Sequence, residues 1–282
     1  MFLKSYNPVT NGLRHRIIIS KKTLEHTKTP KGLVFGLTKK SGRNNLGKII
    51  TFQRGGGHKR LYRIIDFKRQ FFKEDAVILH KEYDPNRTGF IALVKYESGH
   101  LAYILAPEHV KVGDKISNLF EITNTSLNLD VARHVGTTLP LFLVPKGSLI
   151  HNIELTPGKG AQLVRAAGTS ATLIEKFKNG YGSVKLSSGE VRLIPLLSLV
   201  TLGSVSNKDN FNKVFGKAGA LRWINKRPTV RGMAMNPIDH PHGGGQGKAK
   251  GRLSSTPWGK LTKGPKTRKN KLTNKFILKY NK

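Results

Sequence analysis

The sequence predicts a mainly β chain: two small barrels in tandem, carried between long basic extensions. Three observations predict it. Through the middle of the chain, short apolar runs are broken by turn signals roughly every ten residues, the spacing of small barrels. Positive charge collects at the two ends while the middle is close to balanced. And hydrophobic residues make up only 37% of the chain, with 30 Gly and 13 Pro, so not all of it packs into cores.

The first series of strands begins at Ala76-Val77-Ile78-Leu79-His80, followed by turn chemistry at Asp84-Pro85-Asn86-Arg87. A strand from Phe90 to Tyr96, a Glu97-Ser98-Gly99 turn and a strand from Leu101 to Leu105 follow, stopped by Pro107. Val112-Gly113-Asp114 allows another corner. The second series opens at Leu149 to Leu155 and runs through the Gly-rich loop Pro157-Gly158-Lys159-Gly160 to Thr172–Phe177. Asn179-Gly180 is a hairpin signal into Tyr181–Leu186, and Ser187-Ser188-Gly189 turns the chain into Glu190–Ile194. The polar stretch Asn118–Thr138 separates the series, and a short helix is expected around Phe211 to Phe215. The domain organisation expected is a basic N-terminal extension (1–55), a first barrel (56–120), an insertion (121–138), a second barrel (139–205) and a basic C-terminal extension (206–282).

The charge narrows the function. Fifty Lys and Arg stand against 16 Asp and Glu, a formal net charge of +34. Residues 1–60 hold 14 basic residues and one acid, Glu25, and residues 201–282 hold 19 against Asp209 and Asp239. Residues 61–200 hold 17 against 13. Self-repulsion on this scale destabilises a compact state, so a polyanionic partner is expected and an enzyme of small metabolites is not. The ends read as arms that order against nucleic acid, having few apolar groups to offset chain entropy. Cysteine is absent, which removes disulfides, thiol nucleophiles and thiolate zinc sites. No window reaches the apolar length of a membrane span, and the N-terminus lacks a signal core.

The densest motif is the run from Arg227 to Lys248, which includes Met235-Asn236-Pro237-Ile238-Asp239-His240-Pro241-His242-Gly243-Gly244-Gly245-Gln246-Gly247. Its prolines and glycines make it an irregular loop. A phosphate-cradling P-loop fails at two positions, where His242 and Ala249 stand in place of Gly and Ser or Thr. Asp239, His240 and His242 could be metal ligands, but sit too close in one loop to enclose an ion unaided. Asp239 and His240 could form a general-base pair, but no nucleophile is evident. An RNA-penetrating loop uses all the residues: amides and cations for phosphates, imidazoles for stacking or hydrogen bonds. A second cluster, Arg54-Gly55-Gly56-Gly57-His58-Lys59-Arg60, either lies along phosphates or is a flexible linker. Trp223 and Trp258 either fill a core or stack on a base or sugar.

Gly55-Gly56-Gly57-His58-Lys59-Arg60, Glu82-Tyr83-Asp84-Pro85-Asn86-Arg87, Tyr103-Ile104-Leu105-Ala106-Pro107 and His151-Asn152-Ile153-Glu154-Leu155 resemble the universal "protein two" family of the large ribosomal subunit, in its bacterial and organellar type. So do Pro157–Gly160, Gly216-Lys217-Ala218-Gly219 and the run from Arg227 to Gly247. The resemblance extends from about residue 50 to the C-terminus and is loose before that. It implies an oligonucleotide-binding-type (OB) barrel followed by an SH3-like barrel. It also implies a structural role in the large subunit: binding large-subunit rRNA, supporting subunit association and placing the His-rich loop towards the peptidyl-transferase region. Two features depart from the family: Gln246 stands where relatives usually have Glu, and the inter-barrel segment looks inserted.

The expected rRNA-binding residues are Arg54, Gly55, Gly56, Gly57, His58, Lys59, Arg60, Arg63, Lys68, Arg69, Arg87, Lys159, Arg165, Lys217, Arg222, Trp223, Arg227, Arg231, Met235, Asn236, His240, His242, Lys248, Arg252, Trp258, Lys263, Lys266, Arg268 and Lys269. No catalytic residue and no metal ligand is assigned, His240 being the sole catalytic suspect. No cofactor is expected beyond Mg2+ belonging to the surrounding rRNA. Expected partners are rRNA, other ribosomal proteins and the small subunit, with no membrane and no homo-oligomer. The alternatives are an RNA-acting enzyme or peptidyl-transfer catalyst using His240, and a free-standing RNA chaperone. Lys, Asn, Ile and Phe stand where relatives use Arg and Val. With the divergent N-terminus, that places the ribosome first in the mitochondrial matrix, and in the bacterial cytoplasm as the alternative.

Overall fold

The computed structural model describes residues 3–22, 24–25, 29–71, 74–119, 134–245 and 253–280. The chain divides into two compact units. One comprises Met1–Thr38, Lys59–Lys217 and Lys275–Lys282; the other comprises Lys39–His58 and Ala218–Asn274.

In the first unit, two small hairpin-like pairs precede the barrels: β1 (Leu3–Ser5) with β2 (Ile17–Ile19), and β3 (Val34–Gly36) with β4 (Leu61–Arg63). The OB-type body is the four-stranded antiparallel sheet of β5 (Ala76–Glu82), β6 (Ile91–Tyr96), β7 (Leu101–Leu105) and β8 (Lys115–Ile116), in the order β7-β6-β5-β8. Alternation along β6 sends its residues to two separate cores. Ala92, Val94 and Tyr96 join Ala76, Ile78, Ala102, Ile104 and Ile116, whereas Ile91 and Leu93 join Ile65, Tyr103 and Leu105. Burial on both faces is why this stretch reads as a continuous apolar run.

The SH3-like body is a seven-stranded sheet. Its strands are β9 (Thr138–Pro140), β10 (Leu149–His151), β13 (Ala171–Lys176), β14 (Tyr181–Lys185), β15 (Val191–Pro195), β16 (Leu199–Leu202) and β17 (Ile277–Lys279). Their order is β17-β15-β14-β13-β10-β16-β9, and the pair β11 (Ile153–Glu154) with β12 (Ala161–Leu163) stands beside it. Leu139, Leu141, Ile150, Ile153, Leu173, Val184, Ile194 and Val200 are fully enclosed in its core. Each such aliphatic contributes about 1.5–3 kcal/mol by leaving water.

The extensions are less separate from these bodies than their charge suggests. Leu24 is buried in the OB core, with Ile19 packed against it. Ile277 is buried and carries the C-terminal segment back as the edge strand β17, while Phe276 lies 5.9 Å from the Tyr181 ring. Of the segment read as an insertion, residues 120–133 lie outside the described residues. Its two ends meet: the Leu119 amide donates to the Thr138 carbonyl and the Thr138 amide to Ser117.

The helix is displaced from its expected place. Phe211 lies in a 3-10 turn, Lys208–Asn212, and the α-helix, α1, is Ala218–Trp223 in the second unit. Lys217-Ala218-Gly219 contains too little periodicity to announce it.

Candidate nucleic-acid interface

The second unit holds 18 basic residues and a single acid, Asp239. Its described residues bury only Ala220, His240 and Gly243, so hydrogen bonds and close backbone packing hold it together more than a core does. Residues 53–58 run antiparallel to 223–227. Arg54 bridges Lys226, the Arg227 amide donates to the Gln53 carbonyl at 2.9 Å, and the His58 amide donates to Trp223 at 3.1 Å. Gly57 lies at φ +81°, and a Cβ there would come within 2.9 Å of the Asn225 backbone nitrogen. The triple glycine is therefore neither a linker nor free for phosphates along its whole length: Gly57 is needed for this close approach, and the Gly55 amide is spent on the Asn225 carbonyl.

The His-rich loop folds on itself. The His240 amide donates to the Asn236 carbonyl, the Gly243 amide to His240 at 2.7 Å, and the Gly244 amide to Met235. His240 is only 7% exposed. Its Nδ1 accepts the His242 amide at 3.0 Å, and the two rings lie 4.7 Å apart. A Cβ on Gly232 would come within 2.5 Å of the His240 ring, so the glycine makes room for the imidazole. The His242 ring in turn sits between the Leu253 carbonyl and the Ser255 amide. No ion pair joins His240 to Asp239, which is exposed. Among the described residues no group of three or more His, Asp and Glu comes together in a way that could hold a metal.

A cleft of about 810 Å³ opens in this unit, lined from residues 41–56, from Arg222 and Arg227–Met235, and by His240 and Pro257. Of the expected residues it gathers Arg54, Gly55, Gly56, Arg222, Arg227, Met235 and His240. It also gathers Val230 of the His-rich run, and Arg43, Ile49 and Phe52, which the sequence motifs do not single out. Their one signal is position inside a basic segment. A shallower depression is formed by Gly57, His58, Arg222 and Trp223. Trp223 and Trp258 are 52% and 72% exposed, so neither is a core residue. Arg231, Asn236, Lys263, Lys266, Arg268 and Lys269 are exposed and His242 is half-buried. Arg268 bonds Asn270 and Thr273 within its own turn. Lys248, Arg252 and Gln246 lie outside the described residues.

In the first unit, the expected residues part into two kinds. Lys59, Lys68, Lys159 and Lys217 are exposed. The arginines are mostly committed internally. Arg87 Nε meets the fully buried Asp84 carboxylate at 2.6 Å, with Arg63 at 3.9 Å from its other oxygen. Arg60 donates to the Pro85 carbonyl, and Arg165 lies over the Phe67 ring and bonds the Ala161 carbonyl. Arg69 is 2% exposed, with Nε and Nη1 lacking partners. The expectation that Arg69 meets RNA does not fit this burial; Arg63 and Arg87 likewise serve the Asp84 turn. Similarly, Glu154 is buried and accepts the amides of Gly158, Gly160 and Leu199, which shapes the loop that presents Lys159.

Comparison with known proteins matches two family models: "Ribosomal Proteins L2, RNA binding N-terminal domain" over residues 30–118, and "Ribosomal Proteins L2, C-terminal domain" over residues 134–259. The chain is 53% identical over 281 residues to "Large ribosomal subunit protein uL2" of Orientia tsutsugamushi (strain Ikeda), covering 99% of both chains. It is 52% identical over 280 residues to the protein of that name from Rickettsia bellii (strain OSU 85-389), and 51% to that of Rickettsia felis (strain ATCC VR-1525 / URRWXCal2), each with 99% coverage of both chains. The likeness thus includes the first fifty residues, where the motifs alone showed little. Two domain models and full-length relatives agree with the fold of both β bodies, and the chain belongs to the ribosomal protein L2 (uL2) family, in its bacterial type.

Proposed function

We propose that the protein is a structural constituent of the large ribosomal subunit that binds large-subunit rRNA and catalyses nothing itself. The observation that carries this is the second unit, where 18 basic residues stand against one acid and four arginines line a single cleft. Such a surface gains stability chiefly by neutralising phosphates and releasing their counterions. The relatives are named as large-subunit proteins and carry no enzymatic name. Exposed residues of the expected set, chiefly in the second unit, are its rRNA contacts, and partner ribosomal proteins and the small subunit meet other faces. In this reading the basic extensions on either side of the two barrels act as rRNA-gripping segments. The relatives are bacterial, and they favour a ribosome of the bacterial cytoplasm over the mitochondrial matrix first inferred from composition.

The test is fractionation in a salt series. The protein should co-sediment near-stoichiometrically with large subunits, and its binding to isolated rRNA should weaken steeply as salt rises. A pool bound loosely to many RNAs would instead indicate a chaperone.

His240 acts here as a strut of its loop. Its Nδ1 is occupied by an amide and its ring is packed against Gly232, which suits positioning and not proton transfer. In assembled subunits His240→Gln should retain most peptide-bond formation. A general base contributes roughly 10²–10⁴-fold, so a loss of that size with undisturbed rRNA would restore the catalytic alternative.

A further inference from the structure

We infer that the cleft of the second unit is the seat of one unpaired rRNA nucleotide, turned out of its helix. This rests on the rRNA-binding reading above and goes further, naming what enters and how it is held. Three features of the cleft point to it.

First, its size. At about 810 Å³ it lies within the range of sites that enclose small molecules, about 300–1,000 Å³. It is far too large for a packing defect. Second, its charge has one sign. Arg43, Arg54, Arg222 and Arg227 line it, and no Asp or Glu does. A planar guanidinium both pairs with phosphate and stacks on a base. Third, beside Ser41, Gln53, Thr229 and His240 the lining includes exposed apolar side chains. Phe52 is 66% exposed and Val230 58%, with Ile49 and Met235 beside them. Exposed apolar groups sharing a cleft with arginines suit a flat, aromatic, anionic guest.

A base in a paired RNA helix cannot reach such a floor, because the major groove is too deep and narrow and the minor groove offers mainly 2′-hydroxyls and base edges. Only an unpaired, splayed-out nucleotide presents its face for stacking and its phosphate for the guanidiniums at once. A base stacked on an aromatic side chain gains about 1–3 kcal/mol. The rRNA source is favoured over a free nucleotide because the basic excess extends over the whole unit, well beyond what a single phosphate group would meet.

The experiment places a photoreactive benzoyl group on Phe52, keeping an aromatic ring there, in a full-length chain that is the sole copy in assembled large subunits. Crosslinks are mapped by reverse-transcription stops. The expected result is one dominant stop at a single unpaired nucleotide. In parallel, Phe52→Ala subunits are probed by 2′-hydroxyl acylation; that same nucleotide should become several-fold more reactive while the protein stays stoichiometric. Crosslinks scattered over paired rRNA, or no reactivity change in stoichiometric subunits, would overturn the inference and leave rRNA binding standing. Crosslinking of the isolated chain to labelled AMP with none to rRNA in the subunit would overturn it in favour of a free nucleotide. Failure of the unmodified chain to enter large subunits would overturn the functional reading itself.

Discussion

Acidification should destabilise the protein through His151. The imidazole lies on β10 with no exposure, Nδ1 donating to the Gly203 carbonyl at 3.1 Å and Nε2 without a partner. Burial disfavours its charged form most, and the nearby Arg69 charge adds to that; the Gly203 carbonyl pulls the other way. The net effect lowers its pKa from 6.5 to about 4. Between those two values the unfolded chain takes up a proton that the folded chain refuses. Stability is therefore fully present above pH 6.5 and falls as the pH drops towards 4. One pKa unit corresponds to about 1.36 kcal/mol, so the interval amounts to on the order of 3 kcal/mol. The assay is chemical denaturation of the full chain at pH 7.5, 6, 5 and 4 at constant ionic strength, with His151→Gln alongside. Glutamine can still donate to Gly203 but does not titrate. Carboxylates titrate in both chains, so the difference isolates the imidazole. The parent should lose on the order of 3 kcal/mol more than the variant across the series. Equal pH slopes in the two chains would refute the argument.

Arg69→Met should hold or raise stability, since the buried guanidinium leaves two nitrogens unpaired, and rRNA affinity should be unchanged. It should also shrink the acid loss through His151, whose pKa rises once the neighbouring charge is gone; the same denaturation series reads this. Asp84→Asn should cost about 3–5 kcal/mol in denaturant unfolding, because Arg87 and Arg63 lose their buried counter-charge. Gly57→Ala should cost about 1–3 kcal/mol locally, from its left-handed backbone and the close approach of Asn225. Hydrogen exchange would detect this as reduced protection at the Gly55, His58 and Arg227 amides, with the barrels unaffected.

The strands of both barrels were legible because turn chemistry brackets them: Asp84-Pro85-Asn86 before β6, Asn179-Gly180 before β14, Ser188-Gly189 before β15. The edge strands were not. β9 and β17 are each three residues long, β17 in a lysine-rich tail; each exists because a neighbouring strand offers an open edge, which is tertiary information. The same holds for Leu24, whose burial depends on a core fifty residues and more downstream. At the site, the basic and glycine-rich motifs identified the right segments, yet gave the wrong reason for some residues. Gly57 and Gly232 make room inside the protein, for Asn225 and His240, and do not simply bring backbone to RNA. Nothing local in a glycine tells which neighbour it makes room for.

The arginines carry the remaining lesson, and here a local signal was present. Arg87 stands three residues after Asp84, which captures it. Arg69 stands three residues after Asp66, whose carboxylate accepts the amides of residues 68, 69 and 70 and fixes a tight turn at φ +54° that sends the guanidinium inward. Arg43, Arg54, Arg222 and Arg227 have no acid within ten residues on either side. An arginine with a carboxylate a few residues away is held within the fold, paired as Arg87 is or buried behind a carboxylate-fixed turn as Arg69 is; one in an acid-free segment must find its counter-charge outside. Among the arginines, then, the salt dependence of rRNA binding belongs chiefly to the second unit. Each phosphate left without its cation there should reduce the slope of log affinity against log salt by about 0.7–0.9. Neutralising Arg222 or Arg227 should therefore flatten that slope, whereas neutralising Arg69 should leave it unchanged. An equal change from Arg69 would mean that its burial gives way on the RNA.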